Sequence, residues 1–287
     1  MNPQIPNVKY SGVILGRDPN QRVAGVSSGY EPEILLESGN WDKYRPKHER
    51  QNMGYETSAC LLFSGEDCVE SLFNFYWETE RLDEESKQWL EQTGYRENGK
   101  FNFSDRLPAN YADIIPLTGT YQYKANNAIA KYQIPESRLP YTDKGLYINP
   151  DPTKGGYYHR GEITEEMLAL AEEFEKRFTI TWHYVEDRAQ ALKSSPLQVL
   201  VRYADGDGIL APNGTRNHGV MLYKAEPGID YIDDSYWRQD KRYDPRFVYE
   251  PVGWGLTINK YNMDIQQFVT QNDLAWVQNQ TTGQFAR

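Results

Sequence analysis

The spacing of apolar residues changes once along this 287-residue chain, near residue 178, and that change limits what it can fold into. Before it, apolar side chains at 61, 62, 68, 69, 72, 73 and 76 form a helical stripe that predicts a helix from Cys60 to Trp77. Helix-like sequence continues through "ETERLDEESKQWLEQTG" to a C-cap glycine at Gly94, and "ANNAIAKY" reads as a short helix. "ITEEMLALAEEFEKRF" is amphipathic, with Met167, Leu168, Ala171, Phe174 and Phe178 on one side. Beyond it, "TITWHYV", "LQVLVRY", "HGVMLYK", "DYIDDSYW" and "GWGLTIN" are short strands set apart by Gly, Pro and Asp turns. Helices first and antiparallel strands second predict an α+β molecule with two lobes. Residues 1–50 read as an arm with β-type runs "SGVIL" and "PEILLE", and residues 263–287 as a C-terminal appendage dispensable for activity.

Charge excludes several functions. Acidic residues outnumber basic ones 41 to 31, a net charge of −10, which argues against a nucleic-acid surface built from clustered Lys and Arg. No apolar run approaches the roughly 18 residues a membrane helix needs. "MNPQIPNVKYSG" has neither the basic nor the apolar region of a secretory signal, so a cytoplasmic or virion-associated protein is expected. The two cysteines, eight residues apart on one predicted helix, are too distant to bridge, and free thiols suit a reducing compartment.

Cys60 stands where a polar, Gly-containing segment gives way to the apolar helix. Backbone N–H groups and the macrodipole at a helix start favour a thiolate, the nucleophilic form of cysteine. The plainer reading makes Cys60 a small buried hydrophobe, and that reading is preferred for Cys68, which lies mid-helix among apolar neighbours. A nucleophilic cysteine needs a base. His218 opens the strand "HGVMLYK", and Asp234 follows sixteen residues later at the end of "DYIDDSYW", so adjacent antiparallel strands can set the carboxylate beside the imidazole. His183 reads as a strand residue, and His48 and His159 as solvated loop residues.

These residues carry a resemblance to papain-like (C1-like) cysteine peptidases over most of positions 45–258. "Cys60-Leu61-Leu62-Phe63-Ser64" resembles the family's Cys-Trp-Ala-Phe-Ser helix start, with Leu61 for Trp. "Phe103-Ser104-Asp105-Arg106" resembles Leu-Ser-Glu-Gln, and "Ile134-Pro135-Glu136" with "Pro140-Tyr141" resembles the stretch ending Tyr-Pro-Tyr. The run from Ala191 to Val199 is similar to a strand opening with Gly-Pro-Val, "His218-Gly219-Val220" to His-Ala-Val, and "Asp234-Ser235-Tyr236" to Asn-Ser-Trp. Glu56-Thr57-Ser58-Ala59-Cys60 also resembles C1-like segments of bacteriophage proteins.

The resemblance implies one domain over 1–262, with a helical lobe packed on an antiparallel β-barrel-like lobe and a cleft between them. It implies a polypeptide substrate and no cofactor, with Cys60 as nucleophile, His218 as base and then acid, and Asp234 as the orienting third member. The oxyanion would be held by the Cys60 N–H and the Gln51 side chain. Gln51 lies nine residues before Cys60, where the family shows six, and Gly54 occupies the usual place. Two alternatives stay open: the same chemistry on peptidoglycan, and a catalytically silent papain-like component, which Leu61 and the displaced glutamine favour. "DGDG" at 205–208 lacks the ligand spacing of a calcium loop, and Asp233–Asp234 lacks His or Cys partners for a metal.

Overall fold

A computed structural model describes residues 13–18, 20, 21, 23, 24, 31–51, 57–115, 118–140, 163–202, 216–236 and 240–259. The arm supplies two short strands, β1 (Val13–Ile14) and β2 (Val23–Ala24). Helices α1 (Cys60–Glu78) and α2 (Glu84–Thr93) lead into the β3 (Arg96–Glu97) and β4 (Lys100–Phe101) hairpin. Then come α3 (Arg106–Tyr111), β5 (Thr120–Tyr121) and α4 (Gln122–Ile129). After α5 (Glu165–Arg177) the chain turns to strands: β6 (Phe178–Val185), short α6 (Arg188–Ala191), β7 (Leu197–Arg202) and β8 (Arg216–Glu226). It continues through β9 (Ile229–Asp233), β10 (Asp240–Tyr243) and β11 (Val248–Ile258).

Helix α1 is buried on nearly every side, packed on β7, β8 and β11 and against α4 and β4. Its polar side chains must therefore find partners. Glu70 Oε1 accepts the Phe103 N–H at 2.6 Å, and Glu66 accepts from Gln133 Nε2 at 2.8 Å. Burial pushes both carboxyl pKa values well above the usual range. The helical pattern breaks after Glu78 because Glu80 takes a left-handed φ of 57° and Asp83 caps a fresh helix through the Ser86 N–H at 2.8 Å. Gly94 closes α2 at φ 87°, where a glycine C-cap is expected.

Phe178 lies outside α5, at the first residue of β6, yet its ring sits 5.0 Å from that of Phe174. Phe73 of α1 contacts Phe101, Phe103, Phe174 and Phe178 at 5.2–5.6 Å, joining helices and sheet in one apolar core. The strands order β10-β9-β8-β7-β11-β6-β2, antiparallel except for the parallel β2–β6 pair. A barrel would require β10 and β2 to pair, and among the described residues they do not, so the expected barrel-like lobe is an open seven-stranded sheet.

"PEILLE" forms no strand. Leu35 and Leu36 both direct their N–H groups to the Lys193 carbonyl at 2.8 Å, a turn geometry that no ladder has. The C-terminal appendage and His159 lie outside the described residues. No helix among the described residues is long and apolar enough to cross a membrane.

Candidate active site

Cys60 is the first residue of α1, and the turn before it is tightly built. Ser58 adopts φ 57°, a left-handed conformation uncommon for a residue with a Cβ. Ala59 at the N-cap brings no side-chain oxygen to the first turn, so that turn has no side-chain cap. The same turn is anchored to the sheet from below. Ser64 Oγ donates to the Cys60 carbonyl at 2.7 Å, and Gln198 Nε2 of β7 donates to the Leu61 carbonyl at 2.7 Å.

Strand β8 meets this turn at Gly219, whose N–H donates to Cys60 Sγ at 3.3 Å. A Cβ at 219 would lie 2.8 Å from Leu61 Cδ2, 3.1 Å from Ser64 Oγ and 3.4 Å from the Cys60 carbonyl oxygen. A larger residue there would crowd Leu61 and Ser64.

The preceding residue, His218, hydrogen-bonds Asp234 Oδ1 through Nε2 at 2.8 Å, and the Cys60 side chain is near enough to act on its ionisation. The strand pairing explains the juxtaposition. Met221 pairs with Asp233 across β8–β9, which sets Asp234 diagonally across from His218 on the same face of the sheet. Strand β10 repeats the relation from the other side. Lys241 pairs with Ile232, two residues before Asp234, and its Nζ donates to Asp234 Oδ2 at 2.5 Å.

Cys60 and Asp234 are wholly buried, and His218 is 2 % exposed. Burial alone would lower the His218 pKa, but the Asp234 carboxylate and the Cys60 sulfur outweigh it and raise it to about 10. Burial likewise opposes ionisation of Asp234, yet His218 and Lys241 hold its pKa down at about 2. The two shifts agree in sign, as an imidazolium beside a carboxylate requires. Cys68 differs. Burial, then the charges of Asp67 and Asp233, push its thiol well above the ordinary range.

Gln51 is buried beside the triad but bound to the segment after Asp234. Its backbone N–H donates to the Ser235 carbonyl at 3.0 Å, its Nε2 to the Tyr236 hydroxyl at 3.0 Å, and its Oε1 accepts from Ser235 Oγ at 2.7 Å. Tyr236 in turn stacks on the His218 ring, with centroids 4.6 Å apart and planes at 27°.

The remaining histidines stand elsewhere. His183 is buried in β6, and burial lowers its pKa to about 4. His48, expected to be solvated, lies half-buried 3.6 Å from Asp233. Asp233 and Asp234, considered above as a metal pair, are instead met by cations on opposite sides: Arg45 Nη1 reaches Asp233 Oδ2 at 3.0 Å, while Lys241 takes Asp234. No group of three candidate ligands for a metal occurs among the described residues. A pocket lined by Tyr111, Lys131, Tyr132, Leu168, Glu172 and Glu175 shares no residue with the triad, so its shape says nothing about the chemistry.

Sequence reasoning missed Lys241, which in "RQDKRYD" passes for a surface charge. The available signal was Asp at 234 where the resemblance expects an amide, since a buried carboxylate calls for a cation.

The arrangement can generate a nucleophile, since a thiol, an imidazole on its sulfur and a carboxylate on the far ring nitrogen are the parts of covalent acyl transfer. No family model and no curated protein matches the chain. Among solved structures it is similar to a recombinant stem bromelain precursor at 15 % identity, covering 83 % of this chain and 77 % of that one, with a TM-score of 0.45. It is also similar to the bromelain protease from Ananas comosus in complex with the E64 inhibitor, at 16 % identity, 78 % and 89 % coverage and a TM-score of 0.41. Neither lends support to the bacteriophage variant.

Proposed function

We propose that this chain is a papain-like thiol hydrolase that cleaves peptide bonds through Cys60, His218 and Asp234. One observation supports the reading: Cys60 at the start of α1 takes the Gly219 N–H on its sulfur at 3.3 Å, and the adjoining His218 is held by a buried carboxylate at 2.8 Å. His218, as an imidazolium, holds the proton that the thiol has given up, and the sulfur attacks the substrate carbonyl. The first-turn Cys60 N–H, unopposed by any capping side chain, stabilises the developing oxyanion. The His218 imidazolium then protonates the leaving amine, giving a thioester. Water, deprotonated by His218, hydrolyses it and restores the thiol. Asp234 keeps the ring oriented and stabilises its charge. Gln51 serves as a second oxyanion donor only if its amide turns from the Tyr236 hydroxyl toward the sulfur.

A second reading, a silent structural protein of the same fold, is favoured by the complete burial of Cys60. Limiting iodoacetamide at pH 6.5 with peptide mass mapping separates the two. A working site labels Cys60 well before Cys68, and His218→Ala erases most of that preference. Equal slow labelling, or Cys68 first, removes the hydrolase reading. Hydrolysis of a denatured protein, against clearing of cell-wall suspensions, then distinguishes peptide from peptidoglycan substrates.

A further inference from the structure

A buried carboxylate as third member of a thiol–imidazole site creates a charge problem. With an amide at that position, an imidazolium and a thiolate already sum to zero. With a carboxylate, the same pair carries one excess negative charge in a region where Cys60 and Asp234 are wholly buried. The sulfur must then take its charge beside another anion, which low-dielectric surroundings oppose.

Lys241 stands where that excess can be cancelled. Its side chain is 6 % exposed, and its ammonium donates to Asp234 Oδ2. The other carboxylate oxygen, Oδ1, receives His218 Nε2 at 2.8 Å and the Tyr236 N–H at 3.0 Å. Among the described residues, His218 faces Asp234 from β8, Lys241 from β10, and Cys60 faces the far side of the imidazole from α1. The neighbouring charges pair among themselves: Arg45 bridges Asp233 and Asp240, at 3.0 Å and 2.6 Å, with His48 on Asp233. Asp234 is therefore not served by a diffuse field but by one lysine.

We propose that Lys241 is a positioning residue that neutralises Asp234, so that Cys60, His218, Asp234 and Lys241 work as a charge-balanced quartet equivalent to a thiol–imidazole–amide site. This rests on the hydrolase reading above. It makes Lys241 a companion of the aspartate, required where residue 234 is Asp and superfluous where it is Asn.

The test is a double-mutant cycle of wild type, Lys241→Met, Asp234→Asn and the double variant, read as the rate of Cys60 alkylation by iodoacetamide between pH 4 and 9. Lys241→Met should slow labelling at pH 6.5 about tenfold, the effect of roughly 1.4 kcal/mol of charge interaction, and shift the acid limb upward by about a unit. The double variant should return to within about threefold of wild type, with the acid limb restored, because neither charge remains. Lys241→Arg should restore the acid limb by supplying the cation alone. If Lys241→Met unfolds the protein, the double variant still decides: recovery of folding and labelling together supports the quartet, and loss of both overturns it. Equal effects of Lys241→Met in the Asp and Asn backgrounds also overturn it. Should wild-type Cys60 prove unreactive, the hydrolase reading fails by itself. The carboxyl titration of Asp234, followed by carbon NMR, then tests the lysine separately: a shift of about a unit upward in Lys241→Met supports the pairing, and an unmoved titration overturns it.

Discussion

The seven-stranded sheet buries a histidine toward each end, and the two are held in opposite charge states. His218 of β8 and His183 of β6 are 2 % and 3 % exposed. Burial lowers the His183 pKa to about 4, whereas His218 has a carboxylate at 2.8 Å and rises to about 10. Burial alone does not decide what a histidine does; its partner does. A closely packed glycine lies near each histidine. A Cβ at Gly253 would lie 2.7 Å from His183 Nε2, as one at Gly219 would lie 2.8 Å from Leu61 Cδ2. One glycine gives room to the His183 ring, and the other lets β8 lie close on the first turn of α1.

The comparison breaks most sharply in turnover. Cys60→Ala and His218→Ala should each abolish peptide hydrolysis, a loss of at least about 10³-fold. His183→Gln should leave kcat/KM within about twofold of wild type. Asp234→Ala should lower turnover yet leave a measurable remainder, since its role is orientation. Loss of hydrolysis in a folded His183→Gln protein would erase the distinction between the two ends.

The glycines should separate next. Gly219→Ala crowds Leu61 and Ser64 beside Cys60 and should reduce kcat/KM by about 10²-fold, because small misplacements of reacting groups are costly. Gly253→Ala should instead cost about 1–3 kcal/mol of stability, seen in denaturant midpoints, with turnover per folded molecule retained. A Gly219→Ala protein with full activity would mean that the close approach serves packing alone.

The smallest effect is in pH dependence. His183 is depressed, so the unfolded chain binds its proton more readily. Its contribution is present above pH 6.5 and lost as pH falls toward about 4. His218 is raised, so its contribution is present below pH 6.5 and lost as pH rises through about 10. Asp234, depressed to about 2, adds a contribution lost only as pH falls from 3.8 through that value. Thermal melts from pH 4 to 7 should therefore show a shallower acid-side decline in His183→Gln, by about 1–2 kcal/mol, with the alkaline side unaltered. A steeper acid decline would place an unrecognised anion beside His183.

What could be read in the sequence was whatever depends on local periodicity. The apolar stripe begins at Cys60, and so does α1. The alternation in "HGVMLYK" and "DYIDDSYW" marked the two strands that carry His218 and Asp234, but the bulge between Leu222 and Lys224 that brings both side chains to one face left no mark in it. What could not be read depends on pairing between distant segments. Sheet closure depends on what β10 and β2 meet, and neither strand's sequence states that. Lys241 belongs to the triad only through the β9–β10 register, and the Gly219 requirement exists only because α1 lies on β8. The break after Glu78 went unseen because Glu80 gives no glycine-like signal for its left-handed φ of 57°.

The hydrogen bond from Gly219 to the Cys60 sulfur spans 159 residues of chain, and that distance orders events during synthesis. A ribosome delivers the thiol first and its base much later, with Asp234 and Lys241 after that. Even then β7 and β6 lack their common neighbour until β11, ending at Ile258, is inserted between them. A half-made chain thus holds a cysteine with no imidazole to activate it, and a chain cut short before β11 holds the parts without the sheet that aligns them. Under the proposed hydrolase reading, the order in which the residues leave the ribosome keeps the site unassembled until β11 is made.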